Sequence, residues 1–142
     1  MEKKISVGIA DMKITRQEGI LITYALGSCI GISFYDPMIK LGALLHIMLP
    51  EKGRGNDSNI YKFADSGIHE TLRKLSAYGA TKRRLVCKIA GGAKMFEMKG
   101  GGGFTLSAIM ISRTFATLIP YNSPNIVNCI ISISFVPDSN KI

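Results

Sequence analysis

Hydrophobic and polar positions change rhythm along the chain. At Ile5, Val7 and Ile9 apolar residues alternate with small or polar ones, the period-2 pattern of a half-buried strand. Arg16-Gln17-Glu18-Gly19 predicts a polar turn, and residues 20–25 form a short β-rich run that stops at Leu26-Gly27-Ser28. A second run spans residues 29–35 and closes at Asp36-Pro37, and a third covers 41–48 before Pro50. Residues 51–59 hold no apolar side chain and read as an exposed loop. From Tyr61 the period lengthens: Tyr61, Ala64, Ile68, Leu72 and Leu75 share one helical face, and Gly79 ends the helix. Residues 85–90 return to strand, stopped by Gly91-Gly92.

Strands joined by tight turns, followed by a helix and a further strand, predict an α+β fold, with helices covering a mainly antiparallel sheet. At 142 residues one domain is expected. The character shifts after Gly100-Gly101-Gly102-Gly103. From there to Ile142 only Arg113, Asp138 and Lys141 are charged, and only residues 130–136 alternate like a strand.

Composition narrows the class. Hydrophobic residues make up 46% and charged residues 20%, which excludes wholesale disorder. No apolar run reaches membrane-spanning length and no apolar stretch follows Lys3-Lys4, so the expected location is the cytoplasm. Net charge is +8, from 18 Lys+Arg against 10 Asp+Glu. A basic surface suits an acidic partner, but the charges are scattered and no nucleic-acid-binding motif accompanies them. Three widely spaced cysteines (Cys29, Cys87, Cys129) form neither a disulfide framework nor a zinc pattern, so no metal is expected.

Cys29 stands out among the candidates for chemistry. It follows Gly27-Ser28 at a bend, where backbone N–H groups can stabilise an oxyanion, and a thiol there needs a neighbour to make it reactive. If residues 29–35 and 41–48 pair through the Asp36-Pro37 turn, position 29 falls opposite about 47, and His46 comes near Cys29. That pair reads as a core histidine beside an inert cysteine or, against that blander reading, as a base-assisted nucleophile. His69 lies off the helix's apolar stripe and is expected on its solvated face. Cys87 reads as a small buried hydrophobe or a strand-edge residue. Gly91-Gly92-Ala93-Lys94 and Gly100–Gly103 do not match a phosphate-binding loop.

Five blocks in order carry a family resemblance: Leu26-Gly27-Ser28-Cys29-Ile30-Gly31; Tyr35-Asp36-Pro37 with Gly42; His46-Ile47-Met48-Leu49-Pro50; Tyr61-Lys62-Phe63-Ala64-Asp65; and Lys88-Ile89-Ala90-Gly91-Gly92-Ala93-Lys94-Met95-Phe96. Over residues 5–99 the chain resembles the chemoreceptor glutamine deamidases of the CheD family. The resemblance implies a layered sandwich of antiparallel sheet and helices. It also implies hydrolysis of receptor glutamine side-chain amides to glutamate and ammonia, a protein-glutamine glutaminase activity. Cys29 is the implied nucleophile, His46 its base and Thr23 the residue that orients His46, with Gly27 and Ser28 supporting substrate or oxyanion. No cofactor is implied. The implied partners are the cytoplasmic region of methyl-accepting chemotaxis receptors and the phosphatase CheC, acting with a monomer.

Beyond Lys99 the chain departs from the family. The Gly-x-Arg-Asn block and the later Asp-x-Gly-Gly-Asn segment are both missing between Gly100 and Ile142. The expectation is a single CheD-like domain whose residues 100–142 are atypical and poorly packed, at some cost to activity. A binding module that docks on receptors or on CheC without chemistry is the alternative.

Overall fold

The structure is a computed structural model that describes residues 3–92. Six strands and one α-helix follow in the order β1 (Lys4–Val7), β2 (Asp11–Arg16), β3 (Ile20–Thr23), β4 (Ile30–Asp36), β5 (Leu41–Ile47), α1 (Ala64–Ala77) and β6 (Val86–Gly91), with a single 3-10 turn at Ile60–Lys62 before the helix. The α+β class stands, with one α-helix among the described residues. The glycine-rich run, Met95, Met98, Phe96, Cys129 and the strand expected at 130–136 lie outside them.

Four strands form an antiparallel sheet in the order β2-β5-β4-β6. Alternation along these strands decides its faces. Met12 of β2, Ile30, Ile32 and Phe34 of β4, Leu41, Ala43, Leu45 and Ile47 of β5, and Cys87 of β6 form a core with Ala64, Ile68, Leu72 and Leu75 of α1. The helix therefore covers one face, with the stripe expected from its spacing. Gly31, Ser33 and Tyr35 of β4 alternate with those core residues and face the other way, as do Gly42, Leu44 and His46 of β5.

α1 begins three residues later than its apolar period, because Tyr61 belongs to the 3-10 turn capped by Asn59. Its carboxyl end is a Schellman closure: Gly79 takes a left-handed φ of 98°, its N–H bonds to Ser76 O, and Ala80 N–H reaches back to Leu75 O. Arg84 then clamps this corner to the sheet. Its guanidinium contacts both carboxylate oxygens of the fully buried Asp36 at 2.8–3.1 Å, and also donates to Gly79 O.

The sheet is mainly antiparallel, as expected, with one addition: β1 and β3 form a separate parallel ribbon, Lys4 opposite Ile20 and Val7 opposite Thr23. The reason is β2, which the sequence pattern left unassigned. It is an edge strand with charged Asp11, Lys13 and Arg16, so its apolar signal is only Met12 and Ile14. By pairing with β5 it carries the chain away between β1 and β3, and they meet as parallel neighbours instead of as a hairpin. Among the described residues no helix is long and apolar enough to cross a membrane.

Candidate active site

β4 and β5 make the hairpin expected through Asp36-Pro37, with a register one residue from the count. Ile30 lies opposite Ile47 and Gly31 opposite His46, so position 29 continues opposite 48. Cys29 stands one residue before β4, half-buried, and shares strand parity with Gly31 and His46. Diagonal neighbours of that kind have backbone positions about 7–8 Å apart, within side-chain reach.

His46 is completely enclosed. Its Nδ1 lies 2.8 Å from Thr23 Oγ1, and the same hydroxyl lies 2.8 Å from the carbonyl oxygen of Val7. That carbonyl can only accept, and a hydroxyl has one proton to give. Both contacts are satisfied when Thr23 donates to Val7 and accepts from Nδ1–H of His46. The proton then sits on Nδ1 and leaves Nε2 with a lone pair. Nε2 is buried and has no hydrogen-bond partner among the described residues. Burial holds His46 below the ordinary imidazole range, so the ring is neutral at pH 7. An enclosed, neutral nitrogen with a free lone pair can act as a general base.

The structure thus brings Thr23 onto His46, with Cys29 nearby. No hydrogen bond joins the thiol to Nε2, and burial pushes the Cys29 thiol above its ordinary value. The resting cysteine is a thiol and not a thiolate. Gly27 and Ser28 form an exposed turn immediately before it, with Gly27 at a left-handed φ of 37°. His69 is exposed on α1, as its position off the stripe predicts. Cys87 is buried against the helix and its thiol is pushed up to about 12, far from reactivity. A groove of about 240 Å³ lined by Thr15, Leu21, Ser33, Tyr35 and Leu44 contains none of the predicted site residues.

Three contributors escaped the sequence reading. The Val7 carbonyl is main chain, and no residue type advertises it. Gly31 removes any side chain opposite His46, where a Cβ would lie 3.1 Å from Leu26 Cδ2. Gly91 and Gly92, expected only to stop a strand, pack on the backbone of Cys29: Gly92 N–H donates to Cys29 O at 2.9 Å.

Fold and site together define an α+β protein in which a bonded threonine–histidine pair lies beside a strand immediately preceded by a cysteine. Residues 48–110 match the family model described as CheD chemotactic sensory transduction. Relatives match a longer stretch, of about 100 residues. Over 101 residues the chain is 50% identical to a protein of Caldanaerobacter subterraneus subsp. tengcongensis, covering 70% of this chain and 62% of that protein. It is 52% identical over 101 residues to one of Syntrophomonas wolfei, covering 70% and 63%. With one of Pyrococcus abyssi the figures are 46% over 98 residues, covering 68% and 60%. Each is described as a probable chemoreceptor glutamine deamidase CheD. Over this matched stretch the chain is similar to proteins of the CheD family. It spans about three fifths of the length of these relatives.

Proposed function

We propose that the protein is a chemoreceptor glutamine deamidase of the cytoplasm. In this reading it is a protein-glutamine glutaminase that works as a single CheD-like domain and as a monomer, with the sheet and helix as part of a layered sandwich. Its substrate is a glutamine side chain in the cytoplasmic region of a methyl-accepting chemotaxis receptor, and CheC is a further partner. The observation that carries the reading is the Thr23–His46 bond, which leaves the buried Nε2 with a free lone pair on the sheet face that position 29 shares.

The chemistry follows from those groups. Cys29 Sγ attacks the amide carbon as Nε2 of His46 takes the thiol proton, giving a tetrahedral intermediate whose oxyanion the 27–28 turn supports. The imidazolium returns the proton to the leaving nitrogen, the C–N bond breaks, and ammonia departs from a thioester. Water then adds to the thioester carbon while His46 accepts its proton. The C–S bond breaks, leaving glutamate and the regenerated thiol. Thr23 keeps the same tautomer throughout by accepting from Nδ1. No step calls for a metal or a cofactor.

The test is ammonia release from a receptor cytoplasmic fragment, with wild type beside Cys29→Ala. Release by wild type and none by Cys29→Ala is the expected result. Binding of the fragment with no release from wild type would replace this reading with a docking module, which the missing Gly-x-Arg-Asn and Asp-x-Gly-Gly-Asn blocks favour.

A further inference from the structure

The start of β4 is held by one leucine and three glycines. Residues 24–28 cross from β3 to Cys29, and Tyr24, Ala25, Gly27 and Ser28 are all exposed. Leu26 alone turns inward. Ala25 and Gly27 on either side of it adopt left-handed φ values of 55° and 37°. For alanine that conformation is unfavourable and persists only where surrounding contacts enforce it.

The contacts that enforce it are those of Leu26. Its Cδ atoms lie 3.1 and 3.4 Å from where a Cβ of Gly31 would stand, and its Cβ lies 3.2 Å from that of Gly91. Gly91 has a left-handed φ of 99°, and a Cβ there would also collide with the Cys29 carbonyl oxygen. The next residue, Gly92, donates its N–H to that same oxygen. Leu26 therefore sits on a floor that only glycines leave open, and the peptide after Cys29 is pinned from the β6 side.

We propose that Leu26 and the Gly91-Gly92 pair are positioning residues for Cys29, fastening the 24–29 segment to the sheet so that the thiol keeps one place relative to His46. The inference rests on the deamidase reading and adds to it the groups that hold the nucleophile. Four of the six residues of this crossing are exposed, so among the described residues it has little else to order it, and a nucleophile misplaced by about 1 Å can cost about 10²-fold in rate.

The experiment compares wild type, Leu26→Ala, Leu26→Met and Gly91→Ala, each first shown to be folded by thermal melting. Ammonia release from a receptor cytoplasmic fragment gives kcat and KM, and iodoacetamide labelling of Cys29 at fixed alkaline pH gives thiol access. Leu26→Ala and Gly91→Ala are expected to lower kcat on the order of 10²-fold with little change in KM. In both, labelling of Cys29 becomes faster, because the loosened segment exposes the thiol. Leu26→Met, which keeps an apolar anchor, restores turnover. If Leu26→Ala melts below the assay temperature, Leu26→Val is judged by the same two readouts. Wild-type turnover in the alanine or valine variant overturns the proposal, and so does lost turnover without faster labelling. A wild type that binds the fragment and releases no ammonia instead removes the deamidase reading itself.

Discussion

Thr23 accepts from one imidazole nitrogen of His46 while spending its only proton on the Val7 carbonyl, each contact at 2.8 Å. Three separate strands, β1, β3 and β5, thereby decide where a single proton sits. Without the carbonyl, a threonine could equally donate to Nδ1 and push the proton onto Nε2, where it would block base chemistry.

Thr23→Val keeps the shape and removes the acceptor. Ammonia release is expected to fall on the order of 10²-fold, the lower end of what a positioned general base contributes. Thr23→Ser, which keeps the hydroxyl, retains most of it. Steady-state kinetics on a receptor fragment measure both, and wild-type turnover in Thr23→Val would sink the tautomer argument.

The two ionisable groups of the site also fix a pH dependence. Burial lowers His46 from 6.5. Below 6.5 the unfolded chain therefore binds a proton that the folded site resists, so stability falls as the pH drops through 6.5 toward the folded value. The acidic limb of activity is expected below 6.5, where His46 finally protonates. Cys29, raised by burial from 9.0, should label with iodoacetamide ever faster through neutral pH and past 9.0. A labelling plateau at neutral pH would reveal a resting thiolate and contradict this geometry.

Asp36 and Arg84 predict an acid transition of a different origin. Burial pushes the Asp36 carboxyl upward, but the Arg84 guanidinium and the Met38 and Thr81 amides outweigh it and hold the group below its ordinary 3.8. The stabilisation is complete above the unfolded carboxylate value and is lost as pH falls through the lower folded one. Asp36→Asn should melt at a lower temperature at neutral pH and lose part of the acid dependence. Thermal melts across pH read both, and an unchanged profile would count against the clamp.

Cys87 provides the contrast to Cys29. With its thiol pushed up to about 12 and its side chain in the core, Cys87→Ala should leave ammonia release untouched. Its expected cost is about 1 kcal/mol of stability, the scale of a buried methylene, read from denaturant unfolding. Lost turnover in a folded Cys87→Ala would mean the wrong cysteine has been assigned.

Much of this was legible in the residues. The β4–β5 hairpin followed from two apolar runs around Asp36-Pro37, and the face of α1 from the spacing of Ala64, Ile68, Leu72 and Leu75. Burial of Cys87 and exposure of His69 followed from the same periods. Composition and spacing did not join Thr23 to His46; only family resemblance suggested it, because the contact lies between β3 and β5, which are not paired strands, and its second partner, Val7, comes from β1 running parallel to β3. That arrangement was hidden because Met12 and Ile14 make too faint an alternation to mark β2. The parts played by Val7 and Gly92 come from main-chain atoms, which no side-chain pattern encodes.

The parallel ribbon has a consequence for the order of assembly. β1 cannot meet β3 by a local turn, since the intervening β2 must first take its place at the edge of the four-stranded sheet. The β4–β5 hairpin and its helix need no such detour. The Val7 carbonyl thus reaches Thr23 only after the sheet has closed. His46, on the sheet face turned away from α1, therefore acquires its working tautomer only once β1 and β3 have met.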